Sequence, residues 1–129
     1  MKTQLTNEQS QHLIDLGVPK EKASAVHITK YGEAITDKVG NVLSTNNEQY
    51  PIFTLTDLLE ILPKEIEGRY INHSLCMNYG CDMPESEHNL WFVYYDDLND
   101  LEPKYAEELI DSLYKLCVWC LEQGYLKFE

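Results

Sequence analysis

The chain has 129 residues, 43% apolar and 25% charged. That is the balance of an ordinary globular domain, long enough to bury a core without disulfide or metal staples and too apolar to be wholly disordered. Twenty-two Asp and Glu against ten Lys and Arg leave a formal charge of −12 at pH 7. This sign argues against direct contact with nucleic acid or with an anionic membrane surface, since both need clustered Lys and Arg.

The acidic excess is local. Residues 82–111 hold Asp82, Glu85, Glu87, Asp96, Asp97, Asp100, Glu102, Glu107, Glu108 and Asp111 against Lys104 alone, three-quarters of the net charge. The segment Met1 to Gln9 lacks the apolar run of a signal peptide. No stretch approaches the ~18 apolar residues of a membrane span. A single cytoplasmic domain over 1–129 is expected, in which Cys76, Cys81, Cys117 and Cys120 stay reduced. There is no internal repeat and no low-complexity tract.

The first element is a short helix. Thr6 and Gln9 match a capping box, Leu13, Ile14 and Leu16 supply an apolar face, and Gly17 offers a left-handed stop. Pro19 favours a further turn through Lys20–Ala23. Residues 26–49 are expected to be loop-rich, with strand alternation in Val26–Tyr31 and a short apolar pair at Val42–Leu43. A better specified helix starts at Thr54, where Asp57 completes a cap and Phe53 with Leu58 forms a hydrophobic staple; Pro63 ends it.

Two strands follow as an antiparallel hairpin over about 70–95. Tyr70 to Tyr79 alternates, placing Ile71, His73, Leu75, Met77 and Tyr79 on one face, and Leu90–Tyr95 is a dense aromatic and β-branched run. Residues 105–123 read as a long amphipathic helix stopped by Gly124. Its stripe of Ala106, Leu109, Ile110, Leu113, Cys117, Cys120 and Leu121 should lie across the apolar face of the hairpin. The tail Tyr125–Phe128 is placed as an added edge strand. The fold class expected is α+β, a small antiparallel sheet covered by helices.

Three constellations carry chemistry on paper. His73, Cys76, Cys81 and His88 are four zinc-type donors within 16 residues, but the spacing is not that of a zinc finger and an odd separation sends His73 and Cys76 to opposite faces of a strand. A metal- or cysteine-dependent enzyme built on these four is therefore the alternative reading. Cys117-Val118-Trp119-Cys120 is a C-x-x-C, but it lies late in a helix, where the dipole opposes a thiolate; core packing explains it better. Asp96, Asp97, Asp100 and Glu102 offer oxygen ligands without the glycine and ordered spacing of a calcium loop. No nucleophile elbow, H-E-x-x-H or phosphate cradle is present, and no cofactor is expected.

Trp119 falls about 140° from the stripe centre of the last helix, among Glu108, Ser112, Lys115 and Glu122. A tryptophan there packs beneath the N-terminal helix or the Tyr125–Phe128 tail, or else meets a partner.

The stretches Tyr50–Pro63 and Glu108–Tyr114, with Trp119 and Glu122–Tyr125, resemble small acidic proteins of gut Bacteroidetes genomes and their prophages, a group with no assigned activity. The likeness covers roughly residues 50–129 and implies a bacterial accessory or interaction protein, with no functional residue to carry over. Together these features lead to a non-enzymatic interaction module with a basic protein partner. Its contact surface is expected at Asp96, Asp97, Asp100, Glu102, Glu107, Glu108 and Trp119. A structural homo-oligomer, most simply a homodimer, is the third reading.

Overall fold

The computed structural model describes residues 2–30, 33–38, 49–68, 70–80, 90–96 and 103–128. Among them the chain forms three α-helices and two antiparallel sheets, an α+β fold. Helix α1 (Asn7–Asp15) begins at the expected capping box: the Gln9 N–H donates to Thr6 Oγ1 at 3.1 Å, and the Thr6 N–H donates to Gln9 Oε1 at 3.0 Å. Each such cap contributes about 1 kcal/mol. A single 3₁₀ turn, Lys20–Lys22, follows Pro19.

The region expected to be loop-rich contains a second sheet. Strand β1 (Ala25–Lys30) pairs with β2 (Glu33–Lys38) on one side and β3 (Gln49–Ile52) on the other, in the order β2-β1-β3. Pro51 lies in an edge strand, the position in a sheet that tolerates a missing donor. The pair Val42–Leu43 lies outside the described residues. Helix α2 (Leu55–Ile61) carries the second capping box, from Thr54 to Asp57. Leu62 turns extended, the conformation favoured before proline, and the helix ends at Ile61, two residues short of Pro63.

The main sheet runs β4-β5-β6-β7, with β4 (Glu65–Ile66), β5 (His73–Gly80), β6 (Leu90–Tyr95) and β7 (Lys104–Ala106). The hairpin of β5 and β6 is the one expected. Its first strand starts later because Tyr70–Asn72 belong to the turn that brings β5 back along β4. Helix α3 (Leu109–Gln123) likewise starts four residues after the predicted Tyr105. Tyr105 and Ala106 are instead opposite Phe92 and Trp91 in β7, because a ladder partner was available that helical periodicity does not reveal.

One core joins these layers. Leu13 of α1, Phe53, Leu58 and Leu62 around α2, Val93 and Tyr95 of β6, and Ile110, Leu113, Leu116, Cys117 and Cys120 of α3 are all buried in it. Leu116 and Ser112 widen the buried stripe beyond the predicted one, since α3 is packed by the sheet on one side and by α1 and α2 on the other. Ser112 is accommodated by donating to the Leu109 carbonyl at 2.7 Å. Helix α3 ends at Gly124 with φ +80°. The Gly124 N–H reaches the Leu121 carbonyl, and the Tyr125 N–H reaches that of Cys120. That closure uses the tail as a cap, so Tyr125–Phe128 does not form the expected edge strand. Among the described residues, no helix is long and apolar enough to cross a membrane.

Candidate interaction surface

Among the described residues, the carboxylates of the acidic segment divide into those the fold uses and those it leaves exposed. Asp111 accepts from Lys2 Nζ at 2.8 Å and from Gln9 Nε2 at 3.1 Å, and Glu108 Oε2 accepts from the Lys2 backbone N–H at 3.0 Å. These two acids therefore fasten the N-terminal segment to the start of α3, where negative charge is also favoured by the helix dipole. Glu108, one of the predicted contact residues, is half-buried in this role. Asp96 and Glu107 are exposed. Asp97, Asp100 and Glu102, like Asp82, Glu85 and Glu87, lie outside the described residues.

Trp119 is half-buried and stacked on Tyr125, ring centroids 5.2 Å apart at 26°. The chain's own tail covers it, held there by the turn at Gly124. Of the predicted contact residues, the structure thus leaves Asp96 and Glu107 open and engages Glu108 and Trp119 internally.

Of the His/Cys constellation, His73 and Cys76 fall among the described residues, and each has its own backbone partner. His73 Nδ1 lies 2.8 Å from the Asp96 carbonyl at the β4 end of β5, and Cys76 donates weakly to the Ser74 carbonyl at 3.5 Å. Cys81 and His88 lie outside the described residues. Among the described residues, no three His, Cys, Asp or Glu side chains are grouped as metal ligands. Cys117 and Cys120 are fully buried free thiols. Burial pushes Cys120 up to about 11 despite a hydrogen bond to Tyr95, and pushes Cys117 higher still. The Tyr95 phenol is also raised, by burial and then by Cys120, while its hydroxyl donates to the Pro63 carbonyl at 2.6 Å. Burial thus favours the neutral forms of these groups and disfavours the thiolate that cysteine chemistry needs.

The sheet shows what the sequence reading missed. In β5 and β6 the residue pairs are Leu75–Tyr95, Met77–Val93 and Tyr79–Trp91 on the face toward α3, with Cys76–Tyr94 and Asn78–Phe92 on the other. Helix α3 packs on β6 and β7, not across the whole hairpin. Among the described residues, no helix therefore covers the far end of β5 on that side. Met77 is 42% and Tyr79 58% exposed, and in the turn before β5 Tyr70 is 87% and Ile71 55% exposed. Tyr79 leans on Trp91, centroids 5.1 Å apart, so the two rings form an apolar ledge.

The ladder also fixes where the backbone groups of β5 point. The Asp96 N–H donates to the Ser74 carbonyl, which makes Ser74, Cys76, Asn78 and Gly80 the residues that bond toward β6. The odd-numbered residues point the other way, as shown by the Leu75 N–H, which donates to the Lys64 carbonyl at 2.9 Å. Strand β4 reaches only His73 and Ser74. Among the described residues nothing pairs with the outward N–H and C=O groups of Met77 and Tyr79. The alternation that revealed this face could not show which part of it a helix would cover. Comparison with protein-family models, with curated proteins and with solved structures finds no match.

Proposed function

We propose that this chain is a non-enzymatic cytoplasmic interaction module, encoded by a phage or other mobile element, that binds a basic protein through its acidic side. The observation carrying this reading is the charge distribution: a formal −12, three-quarters of it in residues 82–111, with Asp96 and Glu107 exposed beside the main sheet. A surface of this sign accelerates encounter with cationic partners and selects against anionic ones. The resemblance to small acidic proteins of Bacteroidetes prophages supports a host protein as the target. The buried, neutral thiols of Cys117 and Cys120 support a packing role for the one motif with redox connotations.

The test is capture from bacterial lysate at low salt and at ~0.5 M salt, where screening shortens to a few ångströms. Basic proteins held at low salt and released at high salt are expected. Their capture should weaken with the pair Asp96→Asn and Glu107→Gln. Partners that stay bound at high salt, or no specific partner at either salt, would overturn the reading.

A further inference from the structure

We infer that the open edge of β5 is a strand-addition site for an extended, lysine- or arginine-bearing segment of a partner protein. The requirement for a basic segment rests on the acidic-surface reading above; the requirement for an extended segment rests on the edge itself. Four of the five large apolar side chains exposed among the described residues (Tyr70, Ile71, Met77 and Tyr79) lie within or just before this one strand. At Met77 and Tyr79 the same residues present outward backbone donors and acceptors. An edge of this kind templates another strand unless charge or proline blunts it. The sequence of β5, His-Ser-Leu-Cys-Met-Asn-Tyr-Gly, contains no Lys, Arg, Asp, Glu or Pro.

Charge selects the occupant. The chain carries a formal −12 at pH 7, three-quarters of it in residues 82–111. A second copy would set −12 against −12, whereas a cationic segment is attracted by the chain's overall charge. An added strand would alternate, every second side chain resting on the helix side against Met77 and the Tyr79–Trp91 ledge. The intervening side chains would pass beside Cys76 and Asn78 on the other face.

The probe is a fluorescent ten-residue Lys-Val repeat, titrated onto the full chain and followed by anisotropy. Three comparators accompany it: the same peptide N-methylated at alternate backbone nitrogens, a Thr-Val repeat, and chain variants at the edge. Met77→Pro deletes an outward donor that the β6 ladder does not use, and Met77→Lys places a like charge at the edge without altering the backbone. Circular dichroism confirms that each variant is folded. The Lys-Val peptide is expected to bind, with at least a roughly tenfold loss on N-methylation and for either variant, the effect of losing one or two net hydrogen bonds or adding one repulsion.

Equal binding of the N-methylated peptide, or edge variants that bind normally, would overturn strand addition. The acidic-surface reading would survive that result if salt and the Asp96→Asn/Glu107→Gln pair still weakened binding. Conversely, a Thr-Val repeat that bound as tightly, with no salt dependence, would retain the edge and overturn the basic partner. A dimer in sedimentation velocity that Met77→Pro dissolves would assign the edge to a second copy and overturn the proposed occupant.

Discussion

Asp57→Ala isolates the joint between α2 and the start of β1. The Asp57 carboxylate is buried, and its Oδ2 accepts from the Ser24 N–H at 2.8 Å, the Ser24 hydroxyl at 2.9 Å and the Thr54 N–H at 2.9 Å. Ser24 is exposed, so its hydroxyl regains water when the carboxylate is removed, while the two N–H groups are part-buried and lose their acceptor. One to two orphaned donors at ~1–3 kcal/mol each, together with half of a capping box, give a loss of about 2–4 kcal/mol. Asp57→Asn keeps an oxygen in place and surrenders only the charge assistance, about 1 kcal/mol. Urea unfolding followed by the fluorescence of Trp91 and Trp119 measures both, with an unchanged slope showing that the comparison concerns the folded state. An alanine variant within ~0.5 kcal/mol of the parent, or an asparagine variant as damaged as the alanine one, would refute the assignment of the joint to these hydrogen bonds.

Gly68→Ala should cost about 2 kcal/mol or more, because its Cβ would sit 2.0 Å from the Ile71 carbonyl oxygen and 2.7 Å from His73 Nε2. Gly80→Ala meets nothing within 4 Å, and thermal unfolding should leave it at or slightly above the parent. Iodoacetamide at pH 8 should modify Cys117 and Cys120 only in unfolded protein, as read by peptide mass mapping; rapid native labelling of either would contradict their burial. The same thiols set a direction for alkaline stability. The folded chain retains at Cys120 a proton that the unfolded chain releases, so stability should fall from pH 9.0 to about 11. Cys120→Ala should flatten that fall, and an unchanged slope would show that another group governs it.

Local rules were legible wherever local chemistry decides. The boxes at Thr6–Gln9 and Thr54–Asp57 each involve four residues, and both helices begin where those residues place them. The stripe of α3 was readable for the same reason, apart from its first turn. Tyr105 and Ala106 satisfy helical spacing, yet a ladder with β6 is formed by residues distant in sequence and claims them. Strands β2 and β3 were missed on similar grounds: Glu33–Lys38 is largely polar and Pro51 interrupts the second, so only pairing with β1 makes them strands. In the candidate surface, the excess of charge was visible in composition alone. The open edge of β5 was not, because exposure depends on how far α3 and β4 extend over a neighbour.

The fastening of Lys2 to Glu108 and Asp111, and of His12 to Tyr114, spans 106, 109 and 102 residues of chain. These links give the molecule a history as well as a shape. During synthesis α1 exists long before the helix it leans on; at ~5–20 residues per second that interval is roughly 5–20 s. Throughout it the apolar side of α1, centred on Leu13, has no partner in α3. Such non-local closure slows folding and concentrates it in a late step. A nascent chain paused before residue 109 would therefore resemble an open clasp, sticky along α1 and β6, and its rescue would depend on whatever shelters that surface until translation resumes.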